Sequence, residues 1–107
     1  MDGQLYIGRN IIHLPYPVAE AIVVMNRIVV RLVVPPKEKF NRNVYALNYD
    51  GKLMWQIEEA PAGGDIAKPF MNLWLSNDGS LIAGNWIGVD YRVALENGRI
   101  EATAFTK

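Results

Sequence analysis

The sequence contains no cysteine among its 107 residues. This absence excludes disulfides, thiolate nucleophiles and zinc sites built on thiolates, and many small secreted domains depend on such cross-links. Eleven Lys and Arg residues balance eleven Asp and Glu residues, so no excess of one charge attracts nucleic acid or anionic lipid. We therefore expect a cytoplasmic protein with no nucleic-acid partner and no membrane partner.

Catalytic signatures are also scarce. The sequence has one histidine, His13, and two serines, Ser76 and Ser80, and it lacks the Gly-x-Ser-x-Gly elbow of serine hydrolases. The pair Gly63-Gly64 is not followed by the Lys-Ser/Thr pair of a phosphate-binding loop. With one histidine and no cysteine, a zinc site would need mostly carboxylate ligands. We predict no catalytic residue, no metal site and no cofactor.

Long apolar runs are missing as well. The most apolar segment, residues 21–34, is interrupted by Asn26, Arg27 and Arg31, whereas a membrane-spanning helix needs about twenty apolar residues. The N-terminal residues lack the basic stretch and apolar run of a signal peptide. A chain of this length is expected to form a single domain, residues 1–107, that is soluble.

Residues 21–34 are rich in Val and Ile, whose branched side chains favour a pleated sheet over a helix. Asn26-Arg27 divides the run, and Asn tolerates the left-handed region of a tight turn. The pattern predicts a hairpin that ends at Pro35-Pro36, with a buried helix as the alternative.

Glycine-containing turns predict further hairpins along the chain, and no segment has a convincing helical pattern. Asp50-Gly51, the segment 77–80 and Asn97-Gly98 are the turn signals. The strands they connect are predicted at 44–49 and 53–58, at 71–76 and 81–86, and at 89–95 and 99–105. A leading strand is predicted at 5–14, and residues 58–69 form a long connection. The sequence therefore predicts an all-β fold of about eight to nine antiparallel strands, with four-stranded units at 20–59 and 71–106.

The first of these glycine-turn hairpins, NVYALNYDGKLMWQ at 43–56, resembles the repeat of the pyrroloquinoline quinone family of β-propellers. Blades of that family end in Tyr-Ala-Leu-Asp, a glycine turn and a Trp. The matching positions here are Tyr45, Ala46, Leu47, Asn48, Gly51 and Trp55. The resemblance implies that Trp55 packs between two blade-like sheets. The second unit has no Trp after Gly98, and the family's quinone and calcium are not carried over.

Two four-stranded units are too few to close a propeller, which needs roughly four to eight blades. The units either pack together as a small sandwich or partly closed barrel, or are completed by other copies of the chain. An open row of two sheets would expose strand edges and apolar faces. We therefore expect a homo-oligomer if the fold does not close on itself.

Binding residues are predicted in the segment NWIGVDYR, which mixes aromatic and charged side chains around Gly88. The predicted residues are Asn85, Trp86, Asp90, Arg92 and, in the long connection, Asp65. Asp90 and Arg92 lie on one face of the predicted strand and either bind a polar ligand or partner, or simply pair on a solvent-exposed face. Trp74 and Tyr91 are expected in the core.

No motif identifies a reaction, so the function stays unknown at this stage. We expect a non-enzymatic binding or interaction protein that self-associates and that has a protein partner. The alternative is a small enzyme whose active site lies between chains and uses His13, Asp65 and Asp90.

Overall fold

A computed structural model of the chain describes residues 2–61 and 65–103. In this part of the chain there are ten strands, all antiparallel, and no helix. The prediction of an all-β fold with two four-stranded sheets is confirmed. Gly63, Gly64 and the end of the last predicted strand lie outside the described residues.

Three sheets make up the fold, and each follows the order of the sequence. The leading hairpin consists of β1 (Gly3–Ile7) and β2 (Asn10–Leu14). Sheet 1 consists of β3 (Val18–Val24), β4 (Arg27–Leu32), β5 (Val44–Leu47) and β6 (Leu53–Gln56). Sheet 2 consists of β7 (Phe70–Leu75), β8 (Leu81–Asn85), β9 (Asp90–Val93) and β10 (Ile100–Ala102).

The prediction of one leading strand at 5–14 is wrong. The segment forms a hairpin in which Ile7 pairs with Asn10, and Gly8 occupies the turn with a φ of 60°. Glycine enters this left-handed region without steric cost, so Gly8 permits the reversal. The extra strand raises the total above the eight or nine that the sequence predicts.

The Val/Ile-rich segment forms the predicted hairpin, β3 and β4, but its turn lies one residue earlier than predicted. Val24 pairs with Arg27, and Met25 and Asn26 have positive φ angles of 49° and 61°. Two consecutive left-handed residues are the geometry of a two-residue turn that matches the twist of the strands. The β-branched residues on either side therefore select a sheet rather than a helix.

Sheet 1 is the middle layer of the fold. Val29 and Val30 are neighbours on β4, so their side chains point to opposite faces, and both are completely buried. Val29 belongs to the core shared with sheet 2, and Val30 belongs to the core shared with the leading hairpin. Because both faces are covered, β4 is apolar on both sides instead of alternating with polar residues.

Trp55 lies at the contact between sheet 1 and sheet 2. Its indole N–H donates to the carbonyl oxygen of Leu95 at 2.7 Å. Gly98 packs directly on the ring, since a methyl group built there would lie 2.6 Å from Cε3 of the indole. The two sheets thus pack as a sandwich around this contact, and the propeller resemblance of residues 43–56 stays a prediction.

Two buried asparagines join the start of sheet 2 to sheet 1. The amide of Asn43 accepts from the backbone N–H of Phe70 at 2.8 Å and donates to the Phe70 carbonyl at 2.9 Å. Asn41 accepts from the N–H of Lys68 at 2.6 Å and donates to the Ile66 carbonyl at 2.9 Å. These side chains replace the backbone partners that a neighbouring strand would supply. They hold the last residues of the long connection, which lead into β7, against sheet 1.

Within residues 2–61 and 65–103 the structure has no helix with the length and apolarity needed to cross a membrane.

Candidate binding surfaces

The binding residues predicted from the sequence fall into three separate environments. Asn85 is buried, and its side chain donates to the Lys68 carbonyl at 2.8 Å and accepts from the N–H of Ile87 at 3.1 Å. Both polar ends of the amide therefore bond the protein's own backbone. Asn85 positions the residues around it, including the neighbouring Trp86.

Trp86 stands on the rim of an apolar groove of about 220 Å³. The ring is 63% exposed, while its backbone N–H donates to the carbonyl of Pro69 at 3.0 Å. The apolar residues that line the groove are Val34, Pro35, Pro36, Ala67, Pro69, Met71 and Trp86. We call this surface the Trp86 groove. Prolines give it stiff walls, because their backbone φ is fixed.

Asp65 lies at the edge of the described connection and forms an ion pair with Lys39. Its side chain is 88% exposed. An ion pair in contact with water contributes little, typically about 0–1 kcal/mol. Asp65 is thus a surface charge at this position.

Asp90 and Arg92 lie on the outer face of sheet 2, the face turned away from sheet 1. The strand register places Asp90 opposite Gly84 and Arg92 opposite Ile82. The same register places Asn72 opposite Gly84 and Trp74 opposite Ile82. We use the name outer face of sheet 2 for this set of residues, together with Glu101, the partner of Arg92 on β10. None of the described strands packs on it.

The expectation that Trp74 is a core residue is wrong. Its side chain is 37% exposed, whereas Tyr91 on the inner face is only 4% exposed, as predicted. Ile82 is 2% exposed although it lies on the same outer face as Trp74. Its cross-strand neighbours Trp74 and Arg92 flank it, and long side chains of this kind cover apolar surface with their stems and rings.

Three of these outer-face side chains meet above Gly84. A methyl group built on Gly84 would lie 3.0 Å from Oδ1 of Asp90, 3.4 Å from Cζ3 of Trp74 and 3.5 Å from Nδ2 of Asn72. Gly84 is buried beneath these three side chains, and its lack of a side chain leaves room for them to pack over the strand. In the sequence, the alternation of residues along β7, β8 and β9 was the only indication that these side chains lie on one face.

A larger cleft of about 420 Å³ lies between the β3–β4 turn and sheet 2. Arg27, Arg92, Asp78 and Glu96 are its charged lining residues. The hydroxyl of Ser76 and the backbone N–H of Ser80 donate to Asp78 and lower the pKa of its carboxyl to about 2. The Nε of Arg27 is buried and has no hydrogen-bond partner among the described residues. Since the cleft carries both signs of charge, it does not select an anion or a cation.

A buried lysine was not predicted. Lys68 is 2% exposed, and its ammonium donates to Glu59 at 2.9 Å. Asn41 also donates to this carboxylate, at 3.1 Å. The hydrogen bond from Lys68 first, and then that from Asn41, lower the pKa of Glu59. This pair forms part of the joint between the two sheets.

His13 and Asp90 lie on opposite sides of the layered fold. His13 is exposed on β2 and pairs with Gln4, on the outside of the leading hairpin. Asp90 lies on the outer face of sheet 2. Among the described residues, no group of three or more His, Asp or Glu side chains is arranged to hold a metal ion.

The comparisons with known proteins identify a family without assigning an activity. The family model described as a domain of unknown function, DUF7957, matches residues 1–105, and the chain belongs to that family. No curated protein and no solved structure matches the chain.

Proposed function

We propose that this protein is a non-catalytic interaction protein that works as a homo-oligomer, and that two copies pair through β3. The observation that carries the proposal is the edge of sheet 1. Strand β3 is the first strand in the order β3-β4-β5-β6, so one side of its backbone has no neighbouring strand. An edge of this kind is a template for pairing with a second chain.

The composition of β3 favours pairing. The strand is seven residues long, and Ala19, Ala21 and Val23 are exposed along it. Its single charged residue, Glu20, is paired with Arg31 of the next strand. The register is irregular between Val18 and Glu20 but continuous from there to Val24. The part of β3 beyond Glu20 therefore lacks the lysine, proline or bulge that protects most edges.

The direction of the backbone groups follows from the two-residue turn. Val24 and Arg27 flank this turn and form a hydrogen-bonded pair, as do Ile22 and Val29 two residues further on. The N–H groups of Ala21 and Val23 therefore point away from β4. In a paired dimer they would donate to the carbonyl groups of the second β3.

The other strand edges of the two sheets are shorter than β3, and those of β7 and β6 are bonded at one end. On β7 the backbone of Phe70 is bonded by Asn43, and the register shifts between Phe70 and Asn72. On β6 the Arg42 guanidinium donates to the carbonyl groups of Gln56 and Ile57. Strand β10 has only three residues. This contrast supports β3 as the pairing edge.

A second copy of the same chain is the occupant that the observations favour. Eleven positive charges balance eleven negative ones, so two copies do not repel each other through net charge. Antiparallel pairing of β3 with itself is self-complementary, which is the requirement for a two-fold dimer. The exposed side chains of Ala21 and Val23 are small or β-branched and suit a pleated contact.

The test is the solution mass, measured by light scattering behind a sizing column over a roughly hundredfold range of concentration, because association follows mass action. We expect the wild type to be a dimer at high concentration and the Val23→Lys variant to be a monomer. A lysine at this position places like charges together at the two-fold contact. Val23→Thr is the matched control, since it keeps the β-branched shape and adds no charge, and it is expected to remain a dimer.

A variant in the Trp86 groove tests whether the copies meet at the β3 edge or at this other exposed apolar surface. Trp86→Ala is expected to leave the mass unchanged. A wild type that is monomeric throughout would refute self-association, and a mass lowered by Trp86→Ala but not by Val23→Lys would show that the groove, not β3, joins the copies.

A further inference from the structure

We propose that the Trp86 groove binds a proline-rich segment of a partner protein, in the polyproline II conformation and with a basic residue beside its prolines. This inference adds a second binding surface and does not depend on the pairing through β3, since none of the described groove residues belongs to that strand. It rests on the apolar walls of the groove and on its one charged lining residue, Glu38.

The groove lies where the end of β4 meets the start of β7. The segment 34–36 follows β4, and Pro69 and Met71 lie at the start of sheet 2. Asn43 bonds the backbone of Phe70 to sheet 1, and the N–H of Trp86 donates to the Pro69 carbonyl at 3.0 Å. These bonds fix the walls relative to each other, so a partner meets a preformed groove and spends little of its binding free energy on ordering it.

The size of the groove suits side chains of a larger partner. Its volume of about 220 Å³ is below the roughly 300–1,000 Å³ of small-molecule sites. Trp86 and Met71 are both exposed there, at 63% and 43%. Covering them removes apolar surface from water, and tryptophan is enriched among the residues that carry most of the binding energy of protein interfaces. The groove therefore holds one or two apolar side chains of a peptide.

The prolines favour a polyproline II segment over an added β-strand. Pro35, Pro36 and Pro69 have no N–H, so the walls lack the row of donors that strand addition needs. The carbonyl groups of Pro35 and Pro69 already accept from the N–H groups of Glu38 and Trp86. A polyproline II segment has no backbone ladder to satisfy and docks its rings in aromatic-lined grooves. The indole N–H of Trp86 can donate to one of its carbonyl groups.

The charge of the groove selects a basic residue in the partner. Glu38 is exposed, and the hydroxyl of Tyr16 donates to one of its carboxylate oxygens. An ionised carboxylate accepts about four hydrogen bonds, so Glu38 can accept more. Its neighbours Lys37 and Lys39 do not line the groove, and Lys39 is paired with Asp65. An arginine of the partner is therefore complementary to Glu38 and can donate two parallel hydrogen bonds.

The experiment is a titration followed by two-dimensional NMR of the backbone amides and of the indole N–H groups. The probe is the end-capped peptide Ala-Pro-Pro-Leu-Pro-Pro-Arg-Ala. One matched peptide has Gln in place of Arg, and another has Gly in place of every Pro. We expect the first peptide to shift the Trp86 indole signal in a saturable way, while the indole signals of Trp55 and Trp74 stay in place.

Two variants test the wall and the charge separately, with binding followed on the Met71 amide. Trp86→Ala should weaken binding by about tenfold or more, the usual loss at such an interface residue, with the dispersion of the spectrum unchanged. Glu38→Gln should weaken binding of the Arg peptide by about threefold, as for an exposed ion pair, and should abolish the difference between the Arg and Gln peptides.

Asp50→Asn is the matched control for the loss of a negative charge. Asp50 lies in the turn that follows β5, whereas the groove lies near the other end of that strand, where Val44 pairs with Arg31 of β4. An Asn-Gly turn suits a hairpin as well as an Asp-Gly turn does. This variant should bind the Arg peptide like the wild type.

The proposal is overturned if the Arg peptide leaves the Trp86 signal unmoved at about 1 mM, well above a weak Kd of about 0.1 mM. It is also overturned if the Gly peptide binds as tightly, or if Glu38→Gln still distinguishes the Arg peptide from the Gln peptide. A solution mass lowered by Trp86→Ala would show instead that a second copy occupies the groove. The Val23→Lys variant is expected to bind the peptide unchanged, so the failure of either proposal leaves the other standing.

Discussion

The two four-stranded sheets share the same strand order but leave different surfaces unpaired. Sheet 1 has its outer face covered by the leading hairpin, where Val30 and Leu32 are completely buried, and its β3 edge is open. In sheet 2, Asn43 bonds the first residue of the β7 edge, Phe70, and the outer face, with Trp74 and Asp90, is open. The comparison teaches that an edge and a face offer different chemistry. A bare edge presents unpaired backbone N–H and C=O groups, whereas a sheet face presents only side chains.

The largest effect is expected from removing a side chain on the covered face of sheet 1. Leu32→Ala should lower the free energy of unfolding by about 2–5 kcal/mol, because Leu32 is fully buried. Trp74→Ala on the open face of sheet 2 should cost clearly less, about 1–2 kcal/mol, since the ring is partly exposed. Urea unfolding of both variants gives the two values. Equal losses would mean that the outer faces are buried to the same extent.

A second prediction concerns the contact that holds the sheets together. Gly98→Ala forces both a positive φ of 78° and a collision with the Trp55 ring. Gly79 has a similar φ of 85° but no atom within 4 Å of the added methyl group. We expect Gly98→Ala to be more destabilising than Gly79→Ala by about 1–3 kcal/mol, the cost of overpacking. Thermal unfolding of the two variants measures the difference. Similar melting temperatures would show that the contact between Trp55 and Gly98 does not hold the sheets together.

A smaller effect is expected at the buried Lys68. Glu59→Gln should lower the free energy of unfolding by about 1–2 kcal/mol, because it leaves a buried ammonium without its charged partner. This value is in the lower part of the usual range, since the Glu59 side chain is itself half in contact with water. Adding Lys68→Met should restore most of the loss, since an apolar side chain of similar length needs no partner. If the double variant is less stable than Glu59→Gln, the buried charge is not the cause.

The same pair predicts the direction of a pH effect. The pKa of Glu59 is lowered in the folded protein, chiefly by the hydrogen bond from Lys68. The carboxylate therefore contributes stability above its usual pKa of 4.5, and this contribution is lost as the pH falls through the lowered value. As the pH falls through this range, the free energy of unfolding of the wild type should therefore decrease more than that of Lys68→Met, which lacks the hydrogen bond from Lys68. Equal decreases in the two proteins would contradict the assignment.

The parts of the fold that the sequence predicted are those set by local chemistry. The glycines at 51, 79 and 98 all have positive φ angles and lie in the turns where they were expected. The period of two on β9 placed Tyr91 and Val93 in the core and Asp90 and Arg92 outside. Such features depend on single residues and their immediate neighbours, so one sequence is enough to find them.

The parts that were missed depend on residues far apart in the chain. Asn43 reads as a loop residue, yet it bonds the backbone of Phe70, 27 positions away. Trp74 reads as a core residue because it is large and apolar, but its face receives no covering strand. Gly84 lies within the strand predicted at 81–86, and only the cross-strand register shows that it lies beneath Trp74 and Asp90. Pairing and layer order decide these roles.

Hydrogen exchange of the β3 amides, measured at low and high protein concentration, tests most directly whether the edge of sheet 1 is where copies meet. Ile22 and Val24 donate toward β4 and serve as internal references that are protected at both concentrations. We predict that the amides of Ala21 and Val23 exchange rapidly at low concentration and become protected at high concentration, and that Val23→Lys abolishes this change for Ala21. Rapid exchange of both amides at every concentration, together with a larger solution mass, would contradict pairing through β3.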